Sequence, residues 1–191
     1  MNRRVSIKYA FGIGMASVFS FSTYKWFSLH KDVELKSLSD YKLLISELAE
    51  TIIPETDTPG ARKAGVEHYI INVLANCCTK LEQNKFLEGL HRVEGYTSKH
   101  LGKSFLQCSD AEKNSVLNYF SEKDVYATDI MNKINNKLFG KSFFVHLKQL
   151  AIEGYCQSEV GATQGLCYDY VPVNYEPCIP LKFNQKSWAT K

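Results

Sequence analysis

From Leu38 onward the apolar residues of this chain recur every three or four positions, and proline, glycine and hydroxyl residues cut the recurrence into pieces of helical length. This spacing gives each piece one apolar stripe rather than the two-residue alternation of a half-buried strand. It predicts an all-α, small helical bundle-like domain. Leu38, Tyr41, Leu44, Ile45, Leu48, Ile52 and Ile53 share one face of a first helix. Ser39 or Asp40 is its expected N-cap, and Pro54 its stop, because the residue before a proline avoids helical geometry. A turn-forming stretch, Glu55-Thr56-Asp57-Thr58-Pro59-Gly60, comes next. Asp57 and Thr58 are expected to brace its backbone.

A second helix is predicted from about Gly65, turning Val66, Tyr69, Ile70, Val73, Leu74 and Cys77 inward. Thr79 and Glu82 have capping-box spacing, each able to satisfy the other's free amide at the start of a long helix carrying Phe86, Leu90 and Val93. Ser109 and Glu112 repeat the device before Val116, Leu117 and Phe120. Ile130, Ile134 and Leu138 suggest a further helical piece, and Phe143, Leu147, Leu150, Ala151 and Gly154 the last strong one.

After Tyr155 the pattern changes: residues 156–191 hold three of the six cysteines and three of the five prolines. This predicts an irregular, disulfide-rich C-terminal arm. The cysteines are Cys77, Cys78, Cys108, Cys156, Cys167 and Cys178, an even number admitting many pairings. A bond from Cys178 to Cys77 or Cys78 is the leading expectation, because Cys77 falls on the apolar face of its helix and Cys178 lies in an arm that needs anchoring.

The start of the chain is of a different kind. Arg3 and Arg4 precede Lys8 and an apolar run from Tyr9 to Phe27 that contains Gly12 and Gly14 and is broken by Lys25. The arginine pair, the lysine and the diluted apolar run resemble a twin-arginine export signal, read by a translocase that passes folded proteins. Residues 1–31 thus read as a signal or an N-terminal anchor, and 32–191 as the domain. Cleavage and retention both fit. The leader carries five basic residues and no acid. Without it the formal charge changes from +3 to 18 − 20 = −2, so nothing suggests nucleic-acid binding.

No catalytic constellation stands out. His68, His91, His100 and His146 are scattered, with no H-E-x-x-H; there is no C-x-x-C-H, no G-x-S-x-G, and no phosphate or dinucleotide loop. The expected cofactor complement of this chain is none, with no catalytic, cofactor-binding or metal residue.

One stretch carries a resemblance. Leu48-Ala49-Glu50-Thr51-Ile52-Ile53-Pro54-Glu55-Thr56-Asp57-Thr58-Pro59-Gly60-Ala61, then Ala64-Gly65-Val66, resembles the small subunit (subunit 3) of bacterial gluconate 2-dehydrogenase. The likeness continues at Glu82-Gln83, Phe86 and Gly89-Leu90, and at Gly154-Tyr155 with Ser158-Glu159-Val160-Gly161-Ala162-Thr163. It closes on Cys178-Ile179-Pro180-Leu181 and Trp188-Ala189. The resemblance implies a non-catalytic subunit of a periplasmic, membrane-associated complex at the outer face of the bacterial inner membrane. In such a complex an FAD-containing GMC-type large subunit oxidises the substrate and a multihaem cytochrome c subunit takes the electrons. The small subunit assists export and stabilisation of the flavoprotein. Its candidate docking residues are Glu55, Thr56, Asp57, Thr58, Pro59 and Gly60 in one segment and Ser158, Glu159, Gly161 and Thr163 in the other. The alternative is a free-standing periplasmic envelope or binding protein that reuses the domain.

Overall fold

A computed structural model describes residues 35–124 and 141–169 and, in the C-terminal arm, residues 171, 178, 180, 181 and 183–189. The leader and the piece expected around Ile130, Ile134 and Leu138 lie outside the described residues. Six α-helices are described: α1 (Leu35–Asp40), α2 (Lys42–Ile52), α3 (Val66–Cys77), α4 (Lys80–Leu101), α5 (Asp110–Asp124) and α6 (Phe143–Gln157). A short 3-10 turn, Phe105–Gln107, precedes α5, and a wide turn, Gly161–Gly165, follows α6. The all-α expectation holds for the described residues.

Helix α6 is the hub. It packs against α2, α3, α4 and α5, and against the wide turn that follows it. Leu147 and Ala151 on its inner face are fully buried and meet a core that includes Ile45, Leu48, Ile70, Leu74, Phe86 and Leu90. Each such side chain contributes about 1.5–3 kcal/mol when removed from water, which is where a helical domain of this size obtains its stability. Phe86 closes edge-on against Phe143 at 5.2 Å and against His146 at 5.9 Å, which locks α4 to the first turn of α6.

Three sequence expectations change. The first helix is two. The chain breaks at Tyr41, whose backbone (φ −90°, ψ 9°) occupies the N-cap of α2 in place of Ser39 or Asp40, with no side-chain cap bond. The break lets α1 fold back on α2 and α3 with Leu38 fully buried. Tyr41 is held from α4, its hydroxyl 3.0 Å from His91 Nδ1. Cys77, expected inside, is exposed. The helix ends there, and the extended backbone of Cys78 (ψ 149°) presents that neighbour to the core instead.

The third change concerns the disulfides. All six cysteines are free thiols, so the structure does not support a disulfide-rich arm or a bond from Cys178 to Cys77 or Cys78. Each described thiol has its own surroundings. Cys108 is buried beside Phe105, with its thiol donating to the Ser104 carbonyl at 3.4 Å. Cys78 lies half-buried, 3.9 Å from His146 Nε2, while Cys77 and Cys178 face solvent. What fixes the root of the arm is backbone. Cys167 N–H donates to the Ser187 carbonyl and Ala189 N–H to the Cys167 carbonyl, both at 2.8 Å.

The Thr79 capping box forms in full, and at Ser109 the side chain of Glu112 reaches back to the cap. Glu82 N–H donates to Thr79 Oγ1, and Thr79 N–H to Glu82 Oε2 at 2.9 Å. At α5, Ser109 N–H donates to Glu112 Oε2 at 2.7 Å, and Lys103 Nζ donates to the same oxygen at 2.8 Å. The lysine bond first, and the serine bonds next, hold the Glu112 carboxyl down to about 2.

Candidate partner-docking site

The residues between α2 and α3 close their own tip by a Thr56 N–H bond to the Thr58 carbonyl, but the ends of the loop are held from outside the turn. The loop is braced from beneath by Glu50. Glu50 sits in the last turn of α2, where the negative end of the helix dipole disfavours an acid unless other donors hold it. Two donors do: Glu55 N–H reaches Glu50 Oε1 at 3.0 Å, and Arg62 N–H reaches Oε2 at 2.8 Å. One carboxylate therefore pins both ends of the loop. Gly60 rests directly on it, so a Cβ there would displace the Glu50 carboxylate from the loop amides. The loop closes with Ala61 N–H donating to the Ile53 carbonyl at 2.9 Å. Gly65, in the left-handed region at φ 68°, turns the chain into α3.

Neighbouring charges reinforce this frame. Glu47, one turn before Glu50, accepts from Arg62 and from the buried Lys113 of α5, each at 2.6 Å. The lysine is 7% exposed, so removing Glu47 would leave it buried without its nearest partner. Loop, α2 and α5 are thereby joined at one carboxylate.

The second segment starts at the end of α6. Ser158 Oγ donates to the Tyr155 carbonyl at 2.8 Å and accepts from Gly161 N–H at 2.9 Å. Ser158 is thus the residue that caps this end, and Glu159 is not. Glu159 contributes its backbone carbonyl, which accepts from Thr163 Oγ1 at 2.7 Å, and its side chain is exposed. Gly161 lies directly against the Tyr155 carbonyl, leaving no room for a Cβ.

Tyr155 joins the two segments. Its ring is buried, and its hydroxyl donates to the Pro59 carbonyl at 2.7 Å across 96 positions of sequence. Gly165, the last residue of the wide turn, rests on the same hydroxyl end of the ring. Loop and turn therefore meet at one phenol. The ten candidate residues divide between two roles. Pro59, Gly60 and Gly161 are buried and form the scaffold, with Thr58 and Ser158 half-buried between. Glu55, Thr56, Asp57, Glu159 and Thr163 point outward. Asp57 does not brace the turn. Its carboxylate accepts only from the Thr56 hydroxyl at 3.0 Å among its described hydrogen bonds, while Thr56 N–H closes the tip on the Thr58 carbonyl.

The residues that build this site, Glu50 and Tyr155, stand inside the stretches that carry the resemblance, but periodicity gives them no role. The usable signal for Glu50 is its position: an acid in a last helical turn, before a proline, needs outside donors.

Elsewhere the chemistry is sparse. Burial holds the His146 imidazole below its ordinary range against the opposing pull of Glu82, and burial pushes the Cys78 thiol up, with Glu82 adding to it. A neutral imidazole beside a protonated thiol is a packed pair rather than an activated nucleophile. Among the described residues no group of three or more His, Cys, Asp or Glu could hold a metal ion, and no helix is long and apolar enough to cross a membrane.

The family model described as gluconate 2-dehydrogenase subunit 3 matches residues 40–177, which takes in both segments and the tyrosine that joins them. The chain belongs to this family. Family membership makes it kin to a subunit of a multi-subunit dehydrogenase. The match stops short of the end of the arm, so Cys178 and Trp188 lie beyond it. No curated protein matches the chain, and no solved structure does.

Proposed function

We propose that this protein is the non-catalytic small subunit of a flavin-dependent gluconate 2-dehydrogenase-type complex, and that it docks the FAD-containing GMC-type subunit through the Glu55–Gly60 loop and the Ser158–Thr163 segment. Family membership supports the subunit role. The single observation that carries the docking reading is the Tyr155–Pro59 bond, which brings the two best-matched segments to one place and leaves their polar side chains outward. A rigid frame under exposed polar groups is what a recognition loop needs, since ordering on binding then costs little. A multihaem cytochrome c subunit completes the complex as the electron acceptor.

The leader supports a route. Arg3, Arg4 and Lys8 suit the twin-arginine translocase, which would carry the folded flavoprotein with its escort to the periplasm, at the outer face of the inner membrane. The test is co-expression of the full chain with the FAD subunit. The wild-type pair should co-purify with bound flavin and reach the periplasm, and Arg3→Lys with Arg4→Lys should hold both in the cytoplasm. A flavoprotein that folds, loads FAD and is exported equally well without this chain contradicts the proposal.

A further inference from the structure

The buried ammonium of Lys113 belongs to neither docking segment, yet it reaches the frame beneath one of them. The residue lies in the first turn of α5, and its base is fixed. Lys113 N–H donates to the Ser109 carbonyl at 2.9 Å, in the turn that Ser109, Glu112 and Lys103 hold together. Its ammonium donates to Glu47 Oε1 at 2.6 Å, while Asp110 Oδ1, on an almost fully exposed side chain, stands farther off at 3.7 Å. The other oxygen of Glu47, Oε2, accepts from the Arg62 guanidinium at 2.6 Å. Arg62 is also the residue whose backbone N–H reaches Glu50 Oε2. Glu47 and Glu50 are neighbours on one face of α2, three residues apart. They therefore grip Arg62 twice, by its side chain and by its backbone, and Lys113 stands behind the first grip.

Stability alone does not account for a lysine at this position. Burying an ammonium removes its hydration, and the attraction of a paired carboxylate does little more than offset that loss, so an apolar side chain of similar volume commonly stabilises as well or better. What the ion pair supplies is direction. A carboxylate held on both oxygens has one orientation, and the Arg62 side chain, more than half exposed, has no such constraint of its own. We infer that Lys113 is a positioning residue for the docking loop: by holding Glu47 it fixes Arg62, and with Arg62 the pose in which Glu55–Gly60 is offered to the FAD subunit. The inference rests on the docking role proposed above. Tyr155 of α6 sets the Pro59 part of the loop, and Lys113 of α5 sets the Arg62 end. The loop is thus oriented from two helices that pack on each other.

The experiment is a double-mutant cycle on the full chain: Lys113→Met, Arg62→Met and the two together. Lys113→Met keeps the apolar stem and leaves Glu47 paired with Arg62, and Arg62→Met falls on an exposed side chain, so both variants should fold. The readouts are native-state hydrogen exchange at the Glu55 and Arg62 amides, melting temperature, and affinity for the purified FAD subunit. Lys113→Met should speed exchange at both amides about fivefold or more, leave the amides of Leu147 and Leu150 in α6 unchanged, and weaken binding by a similar factor. Both cations act through Glu47, so the double variant should be no worse than the stronger single one. Loop amides that exchange at the wild-type rate in Lys113→Met, or effects of the two substitutions that add in full, would overturn the inference. So would loop amides that quicken only in step with those of α6 and with a lower melting temperature, which is loss of the fold and not of the pose. Faster loop exchange with undiminished binding overturns the inference alone and leaves the docking reading standing. A wild-type chain that does not bind the FAD subunit ends the docking reading, and this inference with it.

Discussion

The loop between α2 and α3 and the arm after Gly165 are both irregular, yet they are held in opposite ways. The loop is held by side chains from below: Glu50 takes two of its amides and Tyr155 one of its carbonyls. Its outward residues are polar. The arm is held at its root by backbone bonds and one lysine, and its outward described residues include the large apolar Val171, Leu181, Phe183 and Trp188 beside polar ones such as Asp169 and Asn184. The contrast teaches where each region's energy resides. The loop is complete within the chain, so damage to its frame must appear as lost stability. The arm leaves these apolar side chains uncovered, so damage to its tip should leave the stability of the free chain alone.

The largest expected effect is on the frame. Gly161→Ala puts a Cβ against the Tyr155 carbonyl, which is backbone and cannot swing aside. Overpacking of this kind costs about 3 kcal/mol, read as a lower melting temperature with loss of FAD-subunit binding. If the melting temperature does not move, the wide turn is not fixed as described. Next comes Tyr155→Phe, which keeps the ring and removes its bond to the buried Pro59 carbonyl. Thermal or urea unfolding should show a loss of about 1–2 kcal/mol. An unchanged protein would mean that loop and turn are not coupled through this phenol.

A pH series separates both regions from the helical core. His146 is held below its unfolded value, so the unfolded chain binds protons more readily and stability falls as pH drops below about 6.5. His146→Gln should flatten that part of the curve. Glu112 is also depressed, to about 2, so its contribution is present above its unfolded pKa near 4.5 and is lost as pH falls toward about 2. Glu112→Gln should remove only this acid-side loss. Slopes that stay with wild type in either variant would place the titrating group elsewhere. The smallest effect is expected at the arm tip: Leu181→Ser with Phe183→Ser should leave the melting temperature within error in the free chain. A clear drop would mean the tip is covered from within, and the contrast between the two regions would fail.

Much of the helical body was legible because its signals are local. Three- and four-residue spacing located the faces of α3, α4 and α6, and two Ser/Thr–Glu spacings located the starts of α4 and α5. The break at Tyr41 was not legible, since it depends on His91, fifty positions away, and on the burial of Leu38. Phe105 and Lys113 were missed for the same reason: one fills the core from a short turn, and the other is buried against Glu47, far away in sequence, with Asp110 beside it. The two candidate segments were legible as motifs, but their meeting was not, because it hangs on a single tyrosine bond between residues far apart in sequence. Disulfides were expected from cysteine count and the leader, and neither carries geometry. The described thiols instead have separate surroundings, and backbone bonds do the anchoring.

The central claim is that the loop and the turn form one rigid frame whose outward polar side chains recognise a partner. Asp57→Ala with Glu159→Ala tests it most directly, since both side chains are exposed and neither braces the fold. The measurement is the affinity of the full chain for the FAD subunit beside the melting temperature of the free chain. The account predicts at least tenfold weaker binding with an unchanged melting temperature. Binding that stays at the wild-type level, or that falls only in step with melting, would contradict it.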